Sequence, residues 1–290
     1  MINLDLEMTD MKKGISWFLM LLIFGVLGCG EAEKRSASQK IANLKPSPTA
    51  SADSLYQFVE EQVAFGPRVP NSSAHREAAD WFVEKFRSYG AQVQVQQFEA
   101  ITYDGTVVDL KNIIASFNPE VKKRILLAAH WDTRPFADQD KEDAYASLDG
   151  ANDGGSGVAV LLEIARQLSI SSPTVGVDII LFDGEDWGEH AEKSGTELPN
   201  GLDSWWCLGS QHWSKNKHKS NYTAFYGILL DMVGAPNARF HYDNVSQENA
   251  GRILDKVWSI AHAKGYQNYF KKQAGFAGIT DDHVFVNKYA

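Results

Sequence analysis

The chain has two cysteines in 290 residues, no internal repeat and no excess of basic residues, and each scarcity closes off a class of protein. Cys29 and Cys207 alone cannot build a disulfide framework. With 28 Lys and Arg against 37 Asp and Glu, a net charge of -9, no basic cluster is present in the body of the chain to neutralise phosphates. Nucleic acid is therefore not expected as a partner. Long apolar runs are scarce too. The stretch Ile15 to Leu27 is too short for a comfortable membrane span, and it follows Met11-Lys12-Lys13 in the charged-then-apolar order of a secretory signal.

That segment closes on Val26-Leu27-Gly28-Cys29, which resembles the bacterial lipoprotein cleavage box, in which the cysteine becomes the lipidated N-terminus. Asp5, Glu7 and Asp10 precede the basic pair, which is wrong for a signal start, so Met11 is the expected initiator. Residues 1–29 thus read as a signal peptide. Residues 30–53, rich in Ser, Ala, Lys and Pro with no apolar period, read as a flexible tether to a lipid on Cys29. The expected location is the bacterial cell envelope, lipid-anchored and facing the periplasm or the surface.

From residue 54 to 290 the chain reads as one folded domain, since 44% hydrophobic content can bury one substantial core. Apolar spacing predicts helices over Ser54–Phe65, Ala74–Tyr89, Gly155–Leu168 and Ile253–Ala263. Alternation at Val93, Val95 and Phe98 predicts an edge strand. Arg124 to His130, Val177 to Phe182 and Phe225 to Leu230 have the apolar run of buried strands. Strand, helix, strand in this order calls for a mostly parallel sheet with right-handed crossovers.

Chemistry-bearing residues fall at the ends of those strands or in the loops that follow, where open α/β sheets place ligands. They are His130-Trp131-Asp132, Gly150 to Gly155 around Asp153, Asp183-Gly184-Glu185-Asp186, and Asp231, with Asp281-Asp282-His283 near the C-terminus. Singly, each has a plain reading: His130 as a hydrogen-bonded core histidine, Asp153 as a helix N-cap, Asp231 as a loop cap. Together, carboxylates converging on one rim repel one another unless a cation offsets them. With oxygen and nitrogen donors and no conveniently placed thiolate, zinc is the leading candidate. The adjacent Glu185 and Asp186 project differently, so one can bind metal while the other carries protons.

These motifs, with Gly209-Ser210, resemble those of the zinc-dependent aminopeptidases of metallopeptidase family 28, from roughly Ser54 to the end of the chain. Leu230-Asp231-Met232-Val233-Gly234-Ala235-Pro236-Asn237 and Asp281-Asp282-His283 resemble the glutaminyl cyclases of that family more closely than its peptidases. Asp183-Gly184-Glu185-Asp186-Trp187-Gly188 and Trp206-Cys207-Leu208-Gly209-Ser210-Gln211 look like the bacterial cyclases. The fold expected is a single-domain three-layer α/β/α sandwich around a central mixed, mostly parallel sheet, truncated at its C-terminal end. The resemblance implies one zinc held by Asp153 and Asp186, Glu185 as proton shuttle, and Asp231 and Asp281 in the surrounding hydrogen-bond network. The family commonly has glutamate at Asp186; aspartate is one methylene shorter and still an oxygen ligand. The family also tends to hold the peptide after its central metal-binding aspartate in cis, a geometry that Gly154 would ease. Its last zinc ligand is a histidine in a segment that would lie beyond residue 290, and His283 does not replace it.

The implied activity is cyclisation of an N-terminal glutamine of a peptide or protein to pyroglutamate, with release of ammonia, by a monomer. Trp187, Trp205, Trp206 and Trp213 are candidates to wall the glutamine side chain or to be ordinary core aromatics. Two alternatives stand beside this. One is a two-zinc aminopeptidase, with His130 and Asp231 as further ligands and Asp153 bridging. Against it are the 22 residues between His130 and Asp153 and the Gly-Ala-Pro-Asn segment. The other is an inactive peptide-binding surface lipoprotein.

Overall fold

A computed structural model describes residues 47–275 and 278–289. The expected signal peptide, Cys29 and most of the tether lie outside the described residues. Six helices and seven strands are present among those described: α1 Ala52–Val63, α2 Ser73–Ser88, β1 Gln92–Ile101, β2 Val107–Phe117, β3 Arg124–His130, α3 Gly155–Ile170, β4 Gly176–Phe182, α4 Leu208–Lys215, β5 Gly227–Leu229, β6 Phe240–Tyr242, α5 Asn244–Ala263, β7 Phe270–Ala274 and α6 Asp282–Lys288.

The main sheet has the order β1-β2-β4-β3-β5. β4, β3 and β5 pair in parallel, and β2 runs antiparallel to both β4 and β1. Four of the five strands therefore share one direction, as a mixed and mostly parallel sheet requires. Residues alternate between its two faces. Ile113, Ala115, Leu127, Ala129, Ile179 and Leu181 pack against α1, α2 and α3. Ile114, Leu126, Ala128, Ile180 and Phe182 pack on the other face against Trp213 of α4 and Val286 of α6. This is the three-layer arrangement. Every residue of β4 is buried. At about 1.5–3 kcal/mol for each large apolar side chain removed from water, Ile179, Ile180, Leu181 and Phe182 make this strand the axis of the core.

β3 and β4 coincide with the apolar runs that predict them. α1 begins two residues before Ser54, because Ser51 stands outside the helix and its hydroxyl accepts the Ser54 N–H at 3.1 Å. β2 has no apolar period to announce it. Its polar residues are instead each bound: the Asn112 amide donates to Gly209 O at 2.9 Å and the Ser116 hydroxyl to Asp178 at 2.6 Å. α5 runs nine residues further toward the N-terminus than its apolar period indicates, across a non-helical Ala250 (φ -141°). β6 and β7 form a separate parallel pair, with the Trp258 ring 5.3 Å from Phe270. The described residues divide into two units, one made of Pro48–Trp258 with Gln267 onward, the other containing Ser259–Tyr266. In the latter, Gly265 (φ +89°) ends the helix and Tyr266 N–H donates to Ala261 O at 2.9 Å.

Candidate active site

The parallel register sets His130 of β3 opposite Phe182 of β4, and Trp131 N–H extends the pairing to Phe182 O at 3.0 Å. Both strands therefore deliver their next residues to one rim. Asp132, fully buried, organises that rim. One of its carboxylate oxygens accepts the Glu185 N–H and the other the Asp186 N–H, each at 3.1 Å, and His130 Nδ1 lies 3.5 Å from it. A single carboxylate thus fixes the backbone of the acidic pair and the ring of the histidine. Burial would raise the Asp132 carboxyl, but His130 and the two N–H groups hold it below the usual range.

His130 is buried, and its Nε2 faces Asp153 at 3.0 Å and Asp231 at 3.3 Å. Burial would lower the imidazole pKa, yet Asp132, Asp153 and Asp231 together raise it well above the ordinary value. Asp153 is not the N-cap of α3: Gly154 holds that position, with no side-chain cap. There is no cis peptide bond among the described residues, so the bond after Asp153 is trans. What Gly154 supplies instead is φ +71° and a close approach, since a Cβ there would sit 3.0 Å from Asp132 O and 3.1 Å from the His130 ring.

Glu185 and Asp186 are 7% and 6% exposed. Burial raises the Glu185 carboxyl well above the usual range, and Asp186, Asp282 and Asp281 add to the rise against the opposing His130. Burial and then Asp153 push Asp186 up to about 7. Asp183, by contrast, turns away from this group to meet His75 at 2.9 Å and the Lys111 N–H at 2.6 Å. Asp281 caps α6 and accepts the Asp282 N–H at 2.6 Å, while His283 bridges it (3.6 Å) to Asp243 (3.1 Å).

Four residues with a place in this group carry no role in the sequence reading. Asp132, Asp282 and Cys207 lie inside the quoted motifs, whereas Arg134 has no marker beyond adjacency. Asp282 is fully buried with neither carboxylate oxygen hydrogen-bonded, and burial and then Asp281 raise its carboxyl well above the usual range. The Cys207 thiol donates to Glu185 Oε1 at 3.2 Å and its N–H to Glu185 O at 2.9 Å. Among the tryptophans, Trp213 packs with Phe182 and Tyr222, and Trp205 is buried with its indole N–H on Thr196 O. Trp187 packs on Val108, Leu110 and Leu208, and Trp206 lies half-buried over Arg134.

The donor set fits a divalent cation. Ligand atoms of His130, Asp153 and Asp231 lie within 4.8 Å of one another, all nitrogen or oxygen, and Cys207, the one thiol among the described residues, is committed to Glu185. Burial first and then neighbouring acids raise the Glu185 and Asp186 carboxyls, and a positive charge there would oppose both.

Against this geometry, the sequence pattern of peptidase family M28 matches residues 112–290. The chain belongs to this family. Among similar solved structures, a Zn-dependent exopeptidase from Parabacteroides distasonis is 48% identical with a TM-score of 0.79, over 84% of this chain and 82% of that one. Tannerella forsythia glutaminyl cyclase is 46% identical with a TM-score of 0.79, over 83% and 81%. The glutaminyl-peptide cyclotransferase of Dictyostelium discoideum is 23% identical over 314 residues, 94% of this chain and 84% of that protein. The M28 match begins inside β2 and takes in every segment that reaches the rim.

Proposed function

We propose that this chain is a zinc-dependent glutaminyl-peptide cyclotransferase, which converts an N-terminal glutamine of a peptide to pyroglutamate and releases ammonia. The observation that carries the reading is the buried Glu185 beside Asp186, both pinned through their backbone N–H groups to Asp132, in a chain that shares four-fifths of its length with a glutaminyl cyclase. Asp153 and Asp186 would hold one zinc, and His130 and Asp231 are the further donors of a two-zinc site. Bound there, zinc supplies a Lewis acid that polarises the γ-carboxamide carbonyl of the glutamine.

The protein's own residues do the rest. The attack is intramolecular, so orientation is the main demand on the site. Cys207 occupies Glu185 Oε1, which leaves Oε2 to take a proton from the α-amine as its nitrogen bonds to the carboxamide carbon and the bond from that carbon to the amide nitrogen breaks. The same oxygen then returns the proton to the departing ammonia. Burial of Glu185 keeps water from competing for that proton. Asp231 holds the His130 ring, and Asp281 fixes the start of α6, which brings Asp282 toward Glu185. The half-buried Trp206 and Trp187 are the candidates left to meet the glutamine side chain, since Trp205 and Trp213 are buried in the interior. The Leu27-Gly28-Cys29 box supports a lipid anchor and a place in the cell envelope.

A second reading, a two-metal exopeptidase, is favoured by the His130, Asp153 and Asp231 trio and by the Parabacteroides relative. Purified protein given a glutaminyl peptide separates the two: ammonia with a product lighter by the mass of ammonia supports cyclisation, and a free amino acid supports the exopeptidase. In the cyclase, Glu185→Gln lowers kcat about 10²–10⁴-fold and retains zinc. A kcat within a factor of two of wild type removes Glu185 from the proton path.

A further inference from the structure

The segment after His130 is long, with 22 residues before Asp153, and beyond Asp132 the proposed chemistry does not use it. Its first residues are nevertheless bound tightly to the loop that follows Glu185-Asp186. Arg134 is 8% exposed. Its Nη1 donates to Asp186 O at 3.0 Å and its Nη2 to Glu189 O at 3.0 Å. Nε and Nη2 also grip the Asp138 carboxylate at 2.9 and 2.6 Å. Four bonds use four of the five guanidinium N–H groups. Asp138 in turn accepts the Ala191 N–H at 2.9 Å, so residues 186, 189 and 191 are all tied to the 134–138 segment.

Stacking adds a second constraint. The guanidinium lies 4.5 Å from the ring centroids of both Phe136 and Trp206. Trp206 covers Gly188 so closely that a Cβ there would fall 1.8 Å from the indole. Phe136 reaches the same loop through His190, with ring centroids 4.9 Å apart. Asp132 fixes the acidic pair by its N–H groups, and Arg134 fixes Asp186 by its carbonyl. The peptide units on both sides of the Asp186 side chain are thereby held.

We infer that Arg134 is a positioning residue that, with Asp138, Trp206 and Gly188, sets the orientation of Asp186 and so the geometry of the metal site. The inference rests on the reading of Asp186 as a zinc ligand. Lysine cannot replace it, because a point charge holds neither the planar fork to Asp138 nor two carbonyls at once. Gly188→Ala strikes the same device from the other side by displacing Trp206 while leaving Arg134 intact.

The test is made on Arg134→Lys and Gly188→Ala in the Co2+-substituted and zinc-loaded full chain. A misplacement of about 1 Å at a ligand costs on the order of 10²-fold. Both variants should therefore lose about 10- to 100-fold in kcat, Arg134→Lys with KM changed less than about twofold, and both should show a Co2+ visible spectrum altered in intensity. A surface control, Arg166→Lys, should leave the spectrum unchanged. Folded variants with wild-type kcat and wild-type spectrum overturn the inference, as does a kcat loss matched by the fraction unfolded in thermal melts. If the wild type cyclises no glutaminyl peptide, the proposed activity fails but the spectrum still decides the positioning role. Wild-type protein that takes up no Co2+ overturns the inference itself.

Discussion

The ion pair at the far end of the sheet from the acidic rim gives the sharpest test of what holds β3 and β4 in register. Asp178 is fully buried and accepts four hydrogen bonds: Arg124 Nε at 2.6 Å, Arg124 Nη2 at 2.7 Å, Ser116 Oγ at 2.6 Å and Tyr222 OH at 2.9 Å. Asp178→Ala removes the carboxylate and strands a guanidinium that is 6% exposed. Breaking a buried pair from one side costs about 3–5 kcal/mol. Arg124 retains three carbonyl partners, Phe117, Asn118 and Val121, so the expected loss is near the middle, about 4 kcal/mol. Asp178→Asn, which keeps the shape and one acceptor, should lose about 2 kcal/mol. Those are large shares of a typical 5–15 kcal/mol. Equilibrium urea denaturation at pH 7 measures both, and the Arg124→Met/Asp178→Leu double variant should return to within about 1 kcal/mol of wild type. pH supplies an internal check. Burial would raise the Asp178 carboxyl, but Arg124, Ser116 and Tyr222 hold it below its ordinary value. Its contribution is thus complete above the unfolded pKa of about 3.9 and lost as pH falls through the folded one. The wild type's advantage over Asp178→Asn should shrink below about pH 4. A loss under about 1 kcal/mol for Asp178→Ala at pH 7 would refute the reasoning.

Other perturbations separate the roles at the rim. Asp186→Ala should lose bound zinc while Asp281→Ala keeps it, read by elemental analysis after gel filtration; equal zinc in both removes Asp186 from the ligand set. His283 titrates in the opposite sense to Asp178. Burial would lower its pKa, but Asp281 and Asp243 outweigh that and raise it. Its roughly 1 kcal/mol is present below the unfolded value of about 6.5 and lost as pH rises through the folded one. Denaturation of wild type and His283→Gln should therefore converge toward alkaline pH, and a gap that widens instead contradicts the bridge.

Much of the architecture is legible because an apolar run and a helical period report burial directly. Arg124–His130 and Val177–Phe182 are such runs, and their C-terminal ends show where the chemistry gathers. β2 escapes the same reading because its polar residues are satisfied by distant partners, as Asn112 is by Gly209. α4 escapes it because the helix has only eight residues and starts from a left-handed Cys207 (φ +60°) with no capping side chain.

The site divides the same way. His130, Glu185 and Asp186 stand out as an imidazole and acids at or just past strand ends, and Asp153 as an acid in the glycine-rich loop before α3. Asp132 and Arg134 act on backbone atoms some fifty residues away, and no local spacing encodes such a contact. Asp281 and Asp282 show the limit most clearly, being adjacent members of one motif. Asp281 stands at the N-cap, where its carboxylate is taken by the Asp282 N–H. One residue further on, the helical turn carries Asp282 under α4, fully buried and close enough to Glu185 to raise it. Both acids raise Glu185, but which of the two is fully buried is decided by the phase of α6. That phase is set by the cap, so the carboxyl that ends the loop also determines which carboxyl is buried.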